Sequence, residues 1–146
     1  MEIRNMLEND YTDVYALWTA CSGMGLNDLD DSPCGIAGFL QHNPQTCLVA
    51  TVEGKIVGAI LVGSDGRRGY IYHLAVHPDY RRRGIGKSLV EQALHKLEHI
   101  GIHKVGLVVF ERNQAGNAFW ERLGFIARDD LVYRNKALCA ITRIDT

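Results

Sequence analysis

The chain has 146 residues, 47% hydrophobic and 23% charged, with a formal net charge of −1. That length suits a single domain, residues 1–146, with a core large enough to stand without staples. The composition excludes disordered, collagen-like and coiled-coil chains, and the balanced charge gives no general pull toward nucleic acid or an anionic membrane.

Residues 2–5 suit a short first strand. Residues 10–20 read as a helix, with Val14, Leu17 and Trp18 at i, i+3 and i+4 on one side. Residues 21–33 are turn-rich, with Gly23, Gly25 and Asn27, and they carry Asp28, Asp30 and Asp31. Such a carboxylate run either attracts a cationic amine or, more often, makes a solvated capping loop. Ser32 or Asp31 is placed to cap a second helix over residues 33–42, where Pro33 suits the first turn.

Residues 46–52 and 55–62 flank Glu53-Gly54, a hairpin-type turn. Residues 70–76 form a third β-prone run, and two-residue alternation puts Tyr70, Tyr72, Leu74 and Val76 on one face. His77-Pro78 ends it. Ile85, Leu89, Ala93, Leu97 and Ile100 then make the apolar stripe of the longest helix, with Gly101 placed to stop it. Residues 105–110 read as a central strand covered on both faces. A short helix over residues 115–123 ends at Gly124, and residues 131–133 and 137–141 supply the closing strands. This order implies an α/β (α+β) fold, a mixed sheet with helices on its faces.

The longest apolar stretch, residues 56–61, is too short to cross a bilayer, and Met1-Glu2-Ile3-Arg4 lacks the layout of a secretory signal. A cytoplasmic protein is expected. Cys21, Cys34, Cys47 and Cys139 form no C-x-x-C pair, which favours free thiols packed in or near the core. The six histidines are scattered, so no metal site is expected.

The most informative segment is Arg81-Arg82-Arg83-Gly84-Ile85-Gly86-Lys87, between a strand and an amphipathic helix. A glycine turn there leaves main-chain N–H groups without intrahelical acceptors at the positive end of the helix dipole. That arrangement suits a phosphate-like anion. Gly84 and Gly86 permit close approach, while the arginines and Lys87 add positive charge at the rim. The spacing matches neither G-x-x-x-x-G-K-[ST] nor G-x-G-x-x-G, whose last glycine would stand at Leu89, so nucleoside triphosphate and dinucleotide readings fail. Three arginines alone do not make a nucleic-acid reader.

The run from Leu74 to Gly86 resembles the acetyl-coenzyme A signature of the GNAT N-acetyltransferase family, [QR]-x-x-G-x-[GA], with Arg81, Gly84 and Gly86 at its defining positions. Residues 113–125, NQAGNAFWERLGF, resemble the family's second motif. The likeness is good over about residues 46–126. It is strongest to the small bacterial acetyltransferases of the YpeA type, which share the Asp-Gly-x-Arg-Gly turn seen at residues 65–69. The resemblance implies a twisted, mostly antiparallel sheet of six or seven strands with about four helices, splayed between the fourth and fifth strands.

It also implies acetyl-CoA as co-substrate, with no metal. Leu74, Ala75 and Val76 would run beside the pantetheine arm, as an added strand would. The loop from Arg81 through Arg82, Arg83, Gly84, Ile85 and Gly86 to Lys87 would hold the pyrophosphate. Asn113, Asn117 and Trp120 would line the opposite wall. The backbone N–H of Val76 would bind the thioester oxygen. Trp120 stands where many members carry a tyrosine acid, and an indole N–H is not a practical proton source. Val108 stands where some members carry a glutamate base. Tyr72 is then the nearest catalytic candidate, beside Tyr70 and His73, with Trp120 reduced to a wall.

The expected activity is acetyl transfer to a primary amine of a small molecule, an amino acid or a protein N-terminus, by direct attack. The alternative is a non-catalytic acyl-CoA-binding sensor of the same fold. Acetyl-CoA and the amine are the expected partners, without nucleic acid or membrane, in a monomer or homodimer.

Overall fold

Glu53 and Gly54 both take positive φ, 50° and 77°, the twist that a tight two-residue hairpin needs. They join β3 (Leu48–Val52) to β4 (Lys55–Ser64), the middle of the sheet. The computed structural model describes residues 1–146. In chain order it runs β1 (Glu2–Asn5), α1 (Tyr11–Ala20), β2 (Gly25–Asn27), α2 (Pro33–His42), β3, β4, β5 (Gly69–Val76), α3 (Ile85–His99), β6 (Val105–Leu107), α4 (Gln114–Arg122) and β7 (Arg143–Asp145).

Five strands make one sheet, ordered β1-β3-β4-β5-β6, and β2 with β7 makes a separate two-stranded sheet. Every pairing is antiparallel except β5 with β6. β4 is apolar on both sides because helices cover both its faces. Ala59 and Leu61 join Val14, Leu17, Trp18 and Ile36 beneath α1 and α2. Ile60 and Val62 join Leu89, Ala93 and Leu97 beneath α3. Each such side chain taken from water stabilises the fold by roughly 1.5–3 kcal/mol, before entropy is counted.

The helices begin and end for local reasons. Ser32 caps α2, its hydroxyl accepting from Gly35 N at 3.0 Å, with Pro33 in the first turn. Gly101, at φ 86°, stops α3 in the left-handed region that glycine tolerates. The stripe of α3 is buried from Ile85 through Leu97, but Ile100 is half exposed, because the helix ends before it can turn that residue inward.

Several expectations require correction. The register of β4 on β5 slips between Leu61, which faces His73, and Val62, which faces Ile71, so Tyr72 is a bulged extra residue. The bulge breaks the alternation. Leu74 and Val76 pack with Ile71 on the α3 face, whereas Tyr72 rests against Tyr70 and Phe39 on the α2 side. The strand expected over residues 105–110 is paired only at Val105–Leu107 and is a half-open edge, with Val108 57% exposed. Residues 131–133 and 137–141 form no strand, for their main chain finds no partner in the sheet. The closing strand is β7, and it pairs with β2 from the turn-rich segment. Of the thiols, Cys21 and Cys47 are buried while Cys34 and Cys139 are exposed. Burial pushes the Cys47 thiol up to about 12.

Candidate active site

The parallel ladder between β5 and β6 covers only Gly69–Val105, Tyr70–Gly106 and Ile71–Leu107. Beyond it the two chains run on unpaired to each other, and a slot opens. His77 N–H donates to Val57 O of the β4 side at 2.8 Å. Main-chain groups alternate in direction along a strand, so Ala75 also faces β4, and the N–H and C=O of Leu74 and Val76 face the slot. The contacts of Val76 O agree, for it accepts from Arg81 Nε at 3.1 Å and from Cys21 Sγ at 3.5 Å.

At the wide end of the slot the chain turns into α3. Tyr80 carries the Arg83 guanidinium 5.0 Å from its ring centre, and Arg83 also donates to Asp79 O at 3.1 Å. Arg82 and Gly84 take φ values of 59° and 77°. The first intrahelical bond is Ser88 N to Gly84 O at 2.9 Å, so the N–H groups of Ile85, Gly86 and Lys87 precede any intrahelical acceptor. A Cβ at Gly84 would meet open space, so its left-handed φ is what calls for glycine there. At Gly86 a Cβ would come 3.4 Å from the Phe119 ring and 3.6 Å from Val76 Cγ2, in ordinary contact, so a larger side chain would narrow the space between β5 and α4. Three first-turn donors beside a space that a small residue at position 86 keeps wide fit a phosphate followed by a slender chain.

The expected rim residues separate into two kinds. Arg82 and Lys87 are exposed at the loop, whereas Arg81 and Arg83 are turned back onto main-chain carbonyls. On the far side, Asn113 Oδ1 accepts from Gly116 N at 2.9 Å, capping α4. Asn117 Nδ2 donates to Phe110 O at 3.1 Å and Asn113 O at 2.9 Å. These bonds fix both asparagines in the wall and engage one amide atom of each, Asn113 Oδ1 and Asn117 Nδ2. Trp120 is buried edge-on against Phe119 and Phe125 in the α3-side core. The aromatic at the cleft is Phe119, which sequence reading missed; one helical step separates it from Trp120, and only packing decides which side chain turns inward.

A second missed feature bridges the slot. Cys21 bonds to Val76 on one rim, while Gly23 and Gly25 lie against Asn113 and Phe110 on the other. A Cβ at Gly23 would come within 2.7 Å of Asn113 Nδ2, so only glycine fits this crossing without a shift. The three nearby carboxylates hold the crossing in place. Asp28 Oδ1 accepts from Thr142 N at 2.7 Å, and Asp30 Oδ2 accepts from Asn27 Nδ2 at 2.9 Å. Asp31 is buried, accepts from Asn27 N at 2.8 Å, and lies 2.6 Å from His73 Nε2.

Tyr72 is 54% exposed at the bulge. With Phe39, Asn43, Asp65, Arg68 and Tyr70 it borders a cavity of about 320 Å³ on the α2 side of the sheet. Burial, with the nearby Tyr133 and Tyr72, raises Tyr70 above the usual phenol value, which disfavours it as a base. No three His, Cys, Asp or Glu side chains converge as metal ligands would.

A sheet split beside a glycine turn that opens a helix defines an acyl-transferase type of fold, and sequence comparison assigns the family. The profile of the acetyltransferase (GNAT) family matches residues 11–125, and the chain belongs to that family. It is 38% identical over 138 residues to an acetyltransferase of Sodalis glossinidius (strain morsitans), covering 94% of this chain and 96% of the relative. A solved PaiA N-acetyltransferase from Thermoplasma acidophilum, in complex with coenzyme A, superposes with a TM-score of 0.75 at 19% identity. That match covers 88% of this chain and 91% of the other. The aminoglycoside 6'-N-acetyltransferase AAC(6')-IG from Acinetobacter haemolyticus superposes with a TM-score of 0.70 at 18% identity, covering 95% and 100%. No helix is long and apolar enough to cross a membrane.

Proposed function

We propose that this chain is an acetyl-CoA-dependent N-acetyltransferase that moves an acetyl group from coenzyme A to a primary amine. The observation that carries the reading is two groups of main-chain donors along one slot, Leu74 and Val76 on β5 past the end of the ladder and Ile85, Gly86 and Lys87 at the first turn of α3. A pyrophosphate at the first turn of α3 leaves an attached pantetheine arm to run down the slot along β5. It passes Gly86 and Phe119, then pairs with Val76. The thioester then lies deepest, where the ladder ends. Leu74 N–H, the first slot-facing amide past that point, is the better placed donor to its oxygen, and Val76 serves the arm. This shifts the oxyanion role by one slot-facing residue from the position the resemblance implies.

In the reaction the amine nitrogen attacks the carbonyl carbon, the C–S bond breaks, and the pair of electrons leaves on sulfur. The carbonyl oxygen gains charge as the nitrogen adds, and a fixed N–H there lowers the barrier. The thioester is already activated, so a neutral amine held close supplies much of the rate. The proton lost by nitrogen ends on sulfur or water. Tyr72 is the hydroxyl we assign to that transfer, because it stands exposed at the bulge, where the slot begins. Trp120 is part of the wall. N-acetyltransferases among proteins of the same fold support an amine acceptor.

The test is release of free thiol from acetyl-CoA across a panel of polyamines, amino acids, aminoglycosides and peptides with free N-termini. The reading predicts release with at least one class. Binding of acetyl-CoA without release from any of them would instead indicate a sensor. Tyr72→Phe is expected to lower turnover by about 10²-fold or more with KM for acetyl-CoA unchanged. Unchanged turnover would move the proton to water.

A further inference from the structure

The cavity of about 320 Å³ beside Tyr72 has a far end that acetyl transfer leaves unused. That end is the turn from Ser64 to Gly69, and its own bonds hold it in shape. Asp65 Oδ1 accepts from Arg67 N at 2.7 Å and from Arg68 N at 2.9 Å, and Ser64 Oγ accepts from Gly66 N at 2.9 Å. Asn43, at the end of α2, ties the turn to the helix, its Oδ1 accepting from Ser64 N at 2.9 Å. A Cβ at Gly63 would come 2.6 Å from the Phe39 ring, so glycine there lets α2 lie close and wall the cavity.

The two charged side chains of this turn that border the cavity differ in what they have left to offer. The Arg68 and Arg67 amides bond to the Asp65 carboxylate and hold it below the usual carboxylate range. The Arg68 guanidinium carries five N–H donors, and its one bond is a long contact of 3.4 Å to the Arg67 carbonyl. No carboxylate of the chain pairs with it. Burial raises Tyr70 above the usual phenol value, so its O–H remains a donor at neutral pH. Donors are thus in excess at the turn, and the rings of Tyr70 and Phe39 lead from there to Tyr72. A free guanidinium fork matches a carboxylate.

Arg68 and Tyr72 are four residues apart, at most about 13 Å along an extended strand. The arginine side chain spans part of that gap, so groups bound at the two ends lie roughly 6–10 Å apart. The amine and carboxylate on one α-carbon, within a single residue's reach of ~3.5 Å, are too close together. We infer that the acceptor, if Tyr72 marks its amine end as the transfer reading requires, is a small molecule whose carboxylate Arg68 holds and whose primary amine lies across an extended apolar spacer.

Thiol release from acetyl-CoA with 6-aminohexanoate, with its amide and with the matching diamine tests this. The acid should show a kcat/KM at least about tenfold above its amide. Arg68→Gln should erase that difference by raising KM for the acid, with kcat and the amide little affected. Arg67→Gln removes the same charge from the same turn outside the cavity, and should keep the preference. Both arginines are exposed, so both variants should match the parent in circular dichroism. Dialanine and its C-terminal amide form a second pair, and the pair with the larger ratio tells a short peptide from an ω-amino acid. Calorimetric titration of 6-aminohexanoate into the coenzyme A-loaded protein reads the site without turnover. Affinity lowered at least about tenfold in Arg68→Gln but kept in Arg67→Gln supports the inference. It does so even where no amine releases thiol, an outcome that overturns the transfer reading alone. Equal kcat/KM within both pairs, or equal affinity in both variants, would overturn the inference. So would a preference for the diamine, which would assign the far end to Asp65.

Discussion

Residues 69–87 and residues 21–32 use their polar groups in opposite ways. In the first segment the main chain leaves donors open, at Leu74 and Val76 where the ladder has ended and at the first turn of α3. In the second the polar side chains are consumed: Asp28 on Thr142, Asp30 on Asn27, Asp31 on Asn27 and His73, and Ser32 on Gly35. The difference teaches which of two suggestive patterns marks a ligand site. Three aspartates in a loop suggest attraction of an amine, yet each gives at least one oxygen to a bond that closes the fold, and buried Asp31 gives both. A glycine turn with few side-chain bonds carries the unsatisfied groups.

Three substitutions sharpen that contrast. Asp31→Ala leaves His73 and Asn27 N–H without an acceptor in a buried place, and should cost about 3 kcal/mol in chemical denaturation. A stable Asp31→Ala protein with only weakened amine binding would break the contrast. Asn113→Ala removes the cap of α4 and should cost ~1 kcal/mol, a fall of a few degrees in Tm. Affinity for acetyl-CoA should change less than stability does. Asp28→Ala frees one exposed tether to Thr142 and should cost roughly 0.5–1 kcal/mol. The loss should be read as faster hydrogen exchange in β7 before any change in global stability.

How far the sequence reveals this molecule follows the same division. The strand, turn and helix over residues 69–99 are legible because each signal lies within a few residues: β-prone residues before Pro78, two glycines, then a stripe every three or four residues. The slot itself was foreseen through the family resemblance. Tyr72 was misplaced because its bulge depends on how β4 registers on β5, which no window along one strand contains. The work of Asp31 and Asp28 was hidden because their partners, His73 and Thr142, stand 42 and 114 residues away. Phe119 was passed over for Trp120 because a helix face is fixed by packing, here against Phe125 and the end of β5. The closing segment misled for another reason. Residues 131–133 and 137–141 have the composition of strands, but nothing in their own chain pairs with them.

The central claim is that main-chain geometry, more than rim charge, creates the acyl-CoA site. Calorimetric titration of acetyl-CoA into Gly84→Val and Arg82→Ala tests it most directly. Valine at φ 77° opposes the left-handed turn that aims the donors, so affinity should fall at least about tenfold. Arg82→Ala removes one exposed charge and should weaken binding less than about fivefold. Equal losses in the two variants, or a larger loss in Arg82→Ala, would contradict the claim and assign the site to charge.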